Sequence, residues 1–364
     1  MHVAMPLLAR TVRGIEPLLR AEIHRSGAGT VRRSRHREVW FTAPDPGLAL
    51  RELRTADDVL LLAAVVDGVG RAKAALPRLG RAASAVDARA LLALRERAPE
   101  PTGLDVSASF LGRRAYTRFD LEDTVGAELS ALLRLPYHSR RYGAAPPPGT
   151  ASWRVTVEDD EAVIALRVAE RPLHRRPYKT GSVPGTLHPP VAAAMARLAR
   201  LDGARLVLDP CGGAGTTLVE ARALAPHARY VGLDHSSRAA LVATANSGPV
   251  AGERAAPGRA IAWAVGDAGR IPLPGGVVDR VIVNPPWGRQ VPPSGLLRGD
   301  DGLLWRELAR VLAPGGLVVA LLHDEPEQLR LASANGLRAE RTVEVSLSGL
   351  HPVIAVLRRR TPCA

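Results

Sequence analysis

Four acidic or amide side chains stand at the ends of four successive predicted strands, at Asp209, Asp234, Asp267 and Asn284. In a parallel sheet the carboxyl ends of such strands share one edge, and open α/β sheets bind their ligands there. Asp234 comes 25 residues after Asp209, close to the spacing of an acid that binds ribose hydroxyls. Asp267 is placed to accept a hydrogen bond from an adenine amine or, alternatively, to cap a turn. The row of side chains therefore predicts a site for a nucleoside-containing ligand.

The segment LVLDPCGGAGTTLVE predicts a strand, a glycine-rich turn and a helix. Gly212, Gly213 and Gly215 allow close approach of a ligand and positive φ, and the free N–H groups at the helix start attract anionic groups. Tight packing of the helix on the strand would require the same glycines. A dinucleotide site has the pattern G-x-G-x-x-G, whereas Gly215 is followed by Thr216 and two further residues that are not glycine. The turn therefore differs from that of a dehydrogenase.

The stretch RVIVNPPWGRQV ends a predicted strand abruptly. Val281–Val283 is a β-branched run typical of a buried strand, and Pro285 and Pro286 cannot donate hydrogen bonds to a sheet. Asn284 and Trp287 add an amide and an aromatic ring to this rigid corner. A plain turn is the alternative, but the place of the corner after the fourth strand favours a functional one.

From about residue 185 onward, predicted strands alternate with helices, which is typical of a doubly wound α/β sheet. Five strands are predicted in ARLVLD, RYVGLD, AIAWAVGD, DRVIVN and LVVALLH. The helix DGLLWRELARVLAPGG is expected to end at its Pro-Gly-Gly. Two further strands, LRAERTVEVSLS and HPVIAVLRRR, are joined by a short turn that permits only antiparallel pairing. The predicted fold class is therefore α/β, a Rossmann-like sheet with a C-terminal antiparallel hairpin.

The first half of the chain predicts α+β structure in two parts, residues 1–66 and 67–170. The first part has the order strand, helix, strand, helix, strand. The second part has one long helix in LPRLGRAASAVDARALLALRERA and a helix capped by Asp120. SWRVTV and AVIALRV predict a hairpin, whose tip holds the carboxylates of Asp159, Asp160 and Glu161. A solvated turn explains this acidic tip better than a catalytic or metal site does.

Composition limits the classes of protein. The 364 residues predict two or three domains, and 46% hydrophobic with 23% charged residues is ordinary globular composition. No run of 18 apolar residues and no secretory leader pattern occurs, so we expect neither a membrane span nor secretion. Cys211 and Cys363 are too few for a disulfide framework, which favours the reducing cytoplasm. Cys211 is expected to be a small packed residue and not a nucleophile.

The net charge of +13 favours a polyanionic partner. The excess is +8 over residues 1–180 (29 basic, 21 acidic) and +5 over the remainder (20 basic, 15 acidic). RRSRHR, at residues 32–37, and RPLHRRPYK, at residues 171–179, are clusters free of acidic residues. Either cluster alone fits a solvated face as well as a contact with a polyanion.

DPCGGAGT together with NPPW resembles the class I S-adenosylmethionine-dependent methyltransferases that modify exocyclic amines. The whole chain resembles the THUMP-domain RNA methyltransferases, in particular the tRNA guanine-N2 methyltransferases of the TrmN type. ARTVRGIEPLLRAEI is similar to their ferredoxin-like domain, VSASFLGRRAYTRFDLEDTVGAEL to their THUMP domain and LHRRPYKTGSVPGTLHPP to their linker. Two residues, Gly213 and Trp287, depart from the family pattern. The family usually has tyrosine or phenylalanine at the position of Trp287. Any aromatic face can stack on a base.

The resemblance implies a domain order and three sets of site residues. The expected domains are ferredoxin-like (1–66), THUMP-like (67–170), linker (171–188) and methyltransferase (189–364). Catalysis is assigned to Asn284, Pro285, Pro286 and Trp287. S-adenosylmethionine is expected to contact Asp209, Cys211, Gly212, Gly213, Gly215, Thr216, Asp234, His235, Asp267 and Ala268. RNA is expected to contact Arg113, Arg114, His174, Arg175, Arg176 and Lys179.

The resemblance also implies the chemistry, which is methylation of a guanine N2 amine in tRNA, at position six of the acceptor stem. Acceptors at Asn284 and Pro285 would bind the amine hydrogens, and Trp287 would stack on the flipped base. Neither a metal nor a strong general base is needed, and a cytoplasmic monomer is expected. Other N2-guanine sites (tRNA position ten or rRNA), DNA adenine, protein glutamine and a catalytically silent RNA-binding protein remain as alternatives. The arginine-bearing first half favours RNA.

Overall fold

The computed structural model describes residues 4–95, 99–249, 260–286, 288, 291–300, 302–347 and 349–359. Contacts between residues divide the chain into two compact units. The first unit comprises Met1–Thr11 and Leu19–Leu173, and the second comprises Val12–Leu18 and His174–Ala364. Within the described ranges, no helix has the length and apolar character needed to span a membrane.

The first unit is built on one seven-stranded sheet. Its strands are β1 (Met5–Arg10), β2 (Thr30–Arg35), β3 (Glu38–Ala43), β4 (Asp58–Val66), β5 (Gly103–Phe110), β6 (Thr150–Glu158) and β7 (Glu161–Arg167). They lie in the order β2-β3-β1-β4-β7-β6-β5, and only the β5–β6 pair is parallel. Because one sheet runs through both segments of the first half, the division at residues 66 and 67 stays a prediction.

Helices cover one face of this sheet. They are α1 (Glu16–Ser26), α2 (Pro46–Glu52), α3 (Leu76–Ser84), α4 (Ala88–Ala93) and α5 (Arg118–Leu133). Trp153 and Val155 of β6 share a buried core with Leu121 and Val125 of α5. Since side chains alternate along a strand, Arg154 lies on the opposite face of the sheet.

Two local predictions for the first half are wrong. The single long helix is two, because Asp87 interrupts it and caps α4 by accepting a hydrogen bond from the Ala90 N–H at 3.1 Å. Asp120 is not the cap of α5, which begins earlier, with Thr117 as its N-cap. Asp120 instead completes a capping box, in which its carboxylate accepts from the Thr117 N–H at 2.8 Å.

The arginine-rich segment at residues 32–37 contributes to a strand, β2, that periodicity did not indicate. β2 pairs with β3, and Arg33 lies over the Trp40 ring at 4.4 Å from its centroid. Arg33 and Arg35 form ion pairs with Glu161, and Arg35 also pairs with Glu158. Contacts made across the sheet thus explain a strand that carries little apolar surface of its own.

The second unit confirms the predicted fold class. Its strands are β8 (Leu206–Asp209), β9 (Arg229–Asp234), β10 (Ile261–Val265), β11 (Val278–Val283), β12 (Leu312–Leu322), β13 (Leu337–Glu344) and β14 (Val353–Arg359). Their order is β10-β9-β8-β11-β12-β14-β13. The first five strands are parallel, and β14 is antiparallel to both β12 and β13.

Helices cover both faces of this sheet, and a buried cluster of side chains lies on each face. They are α6 (Pro189–Leu198), α7 (Thr216–Leu224), α8 (Ser237–Ser247), α9 (Gly302–Val311) and α10 (Glu325–Ala334). The prediction that Pro-Gly-Gly ends α9 is wrong, because Leu312 already pairs with Val278 of β11. The Pro-Gly-Gly instead lies within an irregularity of β12, after which Leu317 pairs with Arg280.

A short segment near the start of the chain belongs to the second unit. Val12 and Ile15 are buried in the cluster that also contains Met195 and Val345. The Ser346 N–H donates a hydrogen bond to the carbonyl of residue 13 at 3.1 Å. Sequence periodicity places Ile15 on a helix face but does not indicate which sheet it meets.

Candidate functional site

A cavity of about 570 Å³ lies at the carboxyl ends of β8, β9 and β11. Most of the predicted cofactor and catalytic residues line it, namely Asp209, Cys211, Gly212, Gly213, Thr216, Asp234, His235, Asp267, Ala268, Asn284, Pro285 and Pro286. Gly215 is the N-cap of α7, just behind the lining. Trp287 lies outside the described residues. The four polar strand ends therefore meet, as their place in the sequence predicts.

The glycine turn has two separate reasons for its glycines. A Cβ at Gly212 or Gly232 would come within 2.6 Å or 2.0 Å of the Trp263 indole, so packing excludes a side chain there. Gly215 has a φ of +83°, a conformation that glycine adopts without strain. Gly213 also has a positive φ, of +52°, and a Cβ there would have 3.9 Å of clearance from Val183. Its backbone conformation and not its packing therefore favours glycine at this position, which lies open to the cavity.

Asp209 is the most buried carboxylate of the site. It accepts hydrogen bonds from the Cys211 N–H, at 3.0 Å, and from the Thr217 hydroxyl. Burial, with a smaller contribution from the charge of Asp234, raises the pKa of Asp209 to about 7, although the hydrogen bonds from Thr217 and Cys211 act to lower it. Burial also raises the pKa of the Cys211 thiol, which agrees with a packed residue and not with a nucleophile.

We expect Asp209 to make the stability of the protein depend on pH. The folded state favours the neutral acid, so its stabilisation is complete below the ordinary pKa of 3.8 and is lost as pH rises through about 7. Above pH 7 the ionised group should cost on the order of 4 kcal/mol relative to an uncharged isostere. Asp209→Asn should remove this fall in stability, measured as melting temperature from pH 5 to 8.

The control for that measurement is Asp202→Asn, because Asp202 is exposed in the same unit. Its melting curve should keep the pH dependence of the unmodified protein. Identical pH profiles for Asp209→Asn and the unmodified protein would show that Asp209 titrates in its ordinary range.

Asp234 and Asp267 hold the loops around the cavity. Asp234 accepts from the Gly213 N–H at 2.8 Å with one oxygen and from the Ser236 N–H at 2.9 Å with the other. Asp267 accepts from the Gly269 N–H at 2.8 Å and from the Leu296 N–H at 2.9 Å. The alternative role of Asp267 as a turn cap is therefore present in the structure. Each carboxylate oxygen still has a lone pair available for a ligand.

The Asn284 amide is oriented by its surroundings. Its Nδ2 donates to the Gly185 carbonyl at 3.3 Å. A carbonyl accepts only, so the nearer atom of the amide must be the nitrogen, and Oδ1 must be the other. Among the described residues, neither Asn284 Oδ1 nor the Pro285 carbonyl accepts a hydrogen bond. Two acceptors are therefore available beside the cavity.

The segment predicted as a linker supplies part of the cavity wall, at residues 183–188. Buried Glu220 of α7 accepts from Arg176 Nε at 2.9 Å and from the Tyr178 hydroxyl at 2.8 Å. Buried Asn246 of α8 accepts from the Thr180 N–H at 3.0 Å and donates to the Ala214 carbonyl at 2.9 Å. The family resemblance predicts only a linker at this segment, and no spacing in the sequence connects it to α7 and α8.

The predicted RNA-binding residues occupy different environments. Arg113 and Arg175 are exposed. Arg114 Nη2 donates to the Asp159 carbonyl at 2.6 Å, and the side chain of Arg176 is 8% exposed in its ion pair with Glu220. These bonds favour a structural contribution for the latter two arginines, and the assignment of all four to RNA stays a prediction.

The two remaining residues of that set lie in the second unit. The His174 ring lies 5.3 Å from the His188 ring, measured between centroids. Lys179 is partly buried, and burial lowers its pKa. Their contact with RNA also stays a prediction.

The cavity fits S-adenosylmethionine. The Thr216 hydroxyl is buried at the cavity wall without a hydrogen-bond partner among the described residues, and Gly213 leaves room for close approach of a ligand. In the same ranges, no group of three or more metal-ligating side chains could hold a metal ion. The reversed β14 separates this sheet from that of dehydrogenases, so the second unit is a class I S-adenosylmethionine-dependent methyltransferase domain.

Comparison with known proteins gives the family. Residues 176–353 match the UPF0020 family, the RMKL-like methyltransferase domain. The tRNA (guanine(6)-N2)-methyltransferase of Thermus thermophilus is 31% identical over 280 residues, which are 74% of this chain and 77% of that protein. The bovine U6 snRNA (guanine-N(2))-methyltransferase THUMPD2 is 34% identical over 173 residues, which are 47% of this chain and 32% of that protein.

A solved structure agrees with the sequence relatives. The crystal structure of TrmN from Thermus thermophilus matches with a TM-score of 0.73 at 28% identity, covering 98% of this chain and 100% of that one. The chain belongs to the THUMP-domain family of S-adenosylmethionine-dependent RNA methyltransferases. It is an enzyme, and its cofactor is S-adenosylmethionine.

Proposed function

We propose that this enzyme methylates the exocyclic N2 amine of a guanosine in tRNA, at position six of the acceptor stem. The observation that carries the proposal is the pair of open acceptors, Asn284 Oδ1 and the Pro285 carbonyl, in the wall of the cofactor cavity. An aromatic amine is a poor nucleophile because its lone pair is delocalised into the ring. Two acceptors bound to its two hydrogens favour a pyramidal nitrogen whose lone pair can react.

The residues of the site position the reacting groups. S-adenosylmethionine supplies the methyl group on a sulfonium, so the chain has mainly to align donor and acceptor. Asp234 and the turn at Gly213 hold the cofactor, while Asn284 and Pro285 hold the amine. The amine proton passes to water after transfer. Trp287 is proposed to stack on the flipped base.

The choice of tRNA rests on the relative from Thermus thermophilus, whose name specifies guanine six of tRNA. It rests also on the excess positive charge of the first half. RNA contacts are proposed for Arg113 and Arg114 in the first unit. They are proposed separately for four residues of the second unit, His174, Arg175, Arg176 and Lys179. The enzyme is proposed to act as a cytoplasmic monomer without a metal. THUMPD2, named for U6 snRNA, makes a second RNA the main alternative.

The test is methylation of purified RNA followed by mass spectrometry of its nucleosides. We expect N2-methylguanosine in tRNA that lacks the modification, mapped by nuclease fragments to position six. Asp234→Ala should weaken the binding of S-adenosylmethionine in calorimetry, because an acceptor for the ribose hydroxyls is lost. Methylation of U6 snRNA, rRNA, DNA adenine or glutamine in preference to tRNA would overturn the substrate assignment. Absence of cofactor binding would leave an RNA-binding protein only.

A further inference from the structure

The face of the first sheet opposite α5 carries several arginines that have carboxylate partners. Arg10 pairs with Glu38 at 3.4 Å, and Arg167 pairs with Asp58 at 2.7 Å. The third pair joins Arg37 to Asp57 at 3.6 Å. Such pairing is what makes the burial of a charge tolerable.

Arg154 of β6 is the exception. Its two terminal nitrogens donate to the hydroxyls of Ser107, at 3.3 Å, and Ser109, at 2.6 Å, both on β5. Its Nε is buried without a hydrogen-bond partner among the described residues. Across the same ranges, no carboxylate lies within ion-pair distance of this guanidinium. A guanidinium has five N–H donors. Two of them bond the serines and the Nε–H is buried, so one donor on each terminal nitrogen remains for a ligand.

The charges around Arg154 include no ion-pair partner among the described residues. Its electrostatic neighbours include Arg10, Glu38 and Asp58, which are members of the pairs above. Buried Glu122 of α5 also interacts with it electrostatically, but that carboxyl lies on the other face of the sheet, where it accepts from the Ala108 N–H at 2.8 Å. Burial lowers the pKa of Arg154 to about 9, which still leaves it charged at neutral pH. The site therefore contains a largely buried guanidinium without a carboxylate in ion-pair contact in the described part of the chain.

Ligand access to this charge is open. Arg154, Ser107 and Ser109 are each partly exposed, and β5 is one of the two edge strands of the sheet. The hydrogen of the Ser109 hydroxyl has no acceptor among the described residues, because that hydroxyl serves there only as an acceptor for Arg154. A guanidinium and a hydroxyl that both donate outward form a site for a tetrahedral oxyanion.

We propose that Arg154 and Ser109 bind a backbone phosphate of the RNA substrate, an inference that rests on the proposed function. An RNA phosphate supplies the ion-pair partner that this guanidinium lacks among the described residues. The site is distinct from the residues that sequence analysis assigned to RNA, since it lies on the strands of the sheet and not in the arginine clusters. It also explains why a buried arginine without a carboxylate partner is present in the sheet.

The experiment compares Arg154→Met and Arg154→Gln with the unmodified full chain. Because a largely buried charge without an ion-pair partner is removed, Arg154→Met should melt roughly 2 to 4 °C higher. Its binding to tRNA should weaken roughly tenfold, and the salt dependence of binding should fall by about one unit of slope. Arg154→Gln retains a hydrogen bond to the serines and should show the same two binding effects. Arg81→Met, on the exposed surface of α3, is the charge-matched control. It should change neither the affinity for tRNA nor the salt dependence of that binding.

A second measurement needs no RNA and separates this site from the proposed function. Pyrophosphate should raise the melting temperature of the unmodified protein and leave that of Arg154→Met unchanged. If the unmodified protein binds no tRNA, the proposed function fails, and the pyrophosphate result alone decides whether the oxyanion site exists. Protection by pyrophosphate with an unchanged tRNA salt slope would assign the site to free phosphate and overturn its role in RNA binding. If Arg154→Met keeps both the stabilisation by pyrophosphate and the salt dependence of tRNA binding seen in the unmodified protein, the site is overturned altogether.

Discussion

Replacing Asn284 with alanine is expected to lower methyl transfer by at least roughly 100-fold, the size of effect seen when one electrostatic contact to a reacting group is lost. The affinity for S-adenosylmethionine should not change, because the role proposed for the amide is to bind the amine, and it makes no hydrogen bond to the glycine turn or to Asp234 in the described part of the chain. Single-turnover methylation of tRNA and calorimetry with the cofactor measure the two quantities separately. Asn335→Ala, an amide replaced outside the cavity, is the control.

Asn284→Asp sharpens this test, because it changes the hydrogen-bonding groups and not the size. The Gly185 carbonyl accepts from the Asn284 Nδ2 at 3.3 Å, and an ionised carboxylate has no hydrogen to donate to it. The variant should therefore be slow at pH 8 and recover as pH falls, since the protonated acid donates to Gly185 and accepts from the amine. Activity of Asn284→Asp equal to that of the unmodified enzyme at pH 8 would contradict this orientation of the amide.

The part of the site formed by strand ends is predictable from sequence for a geometric reason. Parallel strands place their carboxyl ends together, so polar residues after four strands must converge once the sheet is assumed. Asp209, Asp234 and Asn284 do converge on one cavity. The packing role of Trp263 against Gly212 and Gly232 is not predictable in the same way, because it depends on which strands are neighbours.

Long-range contacts explain what sequence analysis missed. β2 is held by Trp40 and by carboxylates on strands more than 100 residues away, so its own periodicity gives no signal. Residues 12–18 belong to the second unit, although the last three of them begin α1, whose remainder belongs to the first unit. The segment that leads into the wall at residues 183–188 is bonded to Glu220 and Asn246, which lie on helices whose sequences predict no contact with it. In each case the deciding partner is distant in the chain.

The contact between Glu220 and the segment that forms this wall carries the second large expected effect. Glu220→Leu should destabilise the protein by roughly 3 to 5 kcal/mol, the range for breaking a buried ion pair by removing one partner. Arg176, whose side chain is 8% exposed, would lose the carboxylate that its Nε bonds at 2.9 Å. Denaturant unfolding of the full chain measures the loss.

Replacing Arg176 together with Glu220 gives the decisive comparison. Since the penalty is an unpaired buried charge, the double replacement Glu220→Leu with Arg176→Met should recover much of the lost stability. Glu327→Leu is the exposed control, because Glu327 and Arg330 form a surface pair at 2.7 Å and such pairs contribute about 1 kcal/mol or less. Additive losses in the double variant would show that the carboxylate and the guanidinium act independently. Recovery of stability without recovery of methyl transfer would show that the ion pair also holds residues 183–188, and through Gly185 the Asn284 amide, in the arrangement that the reaction needs.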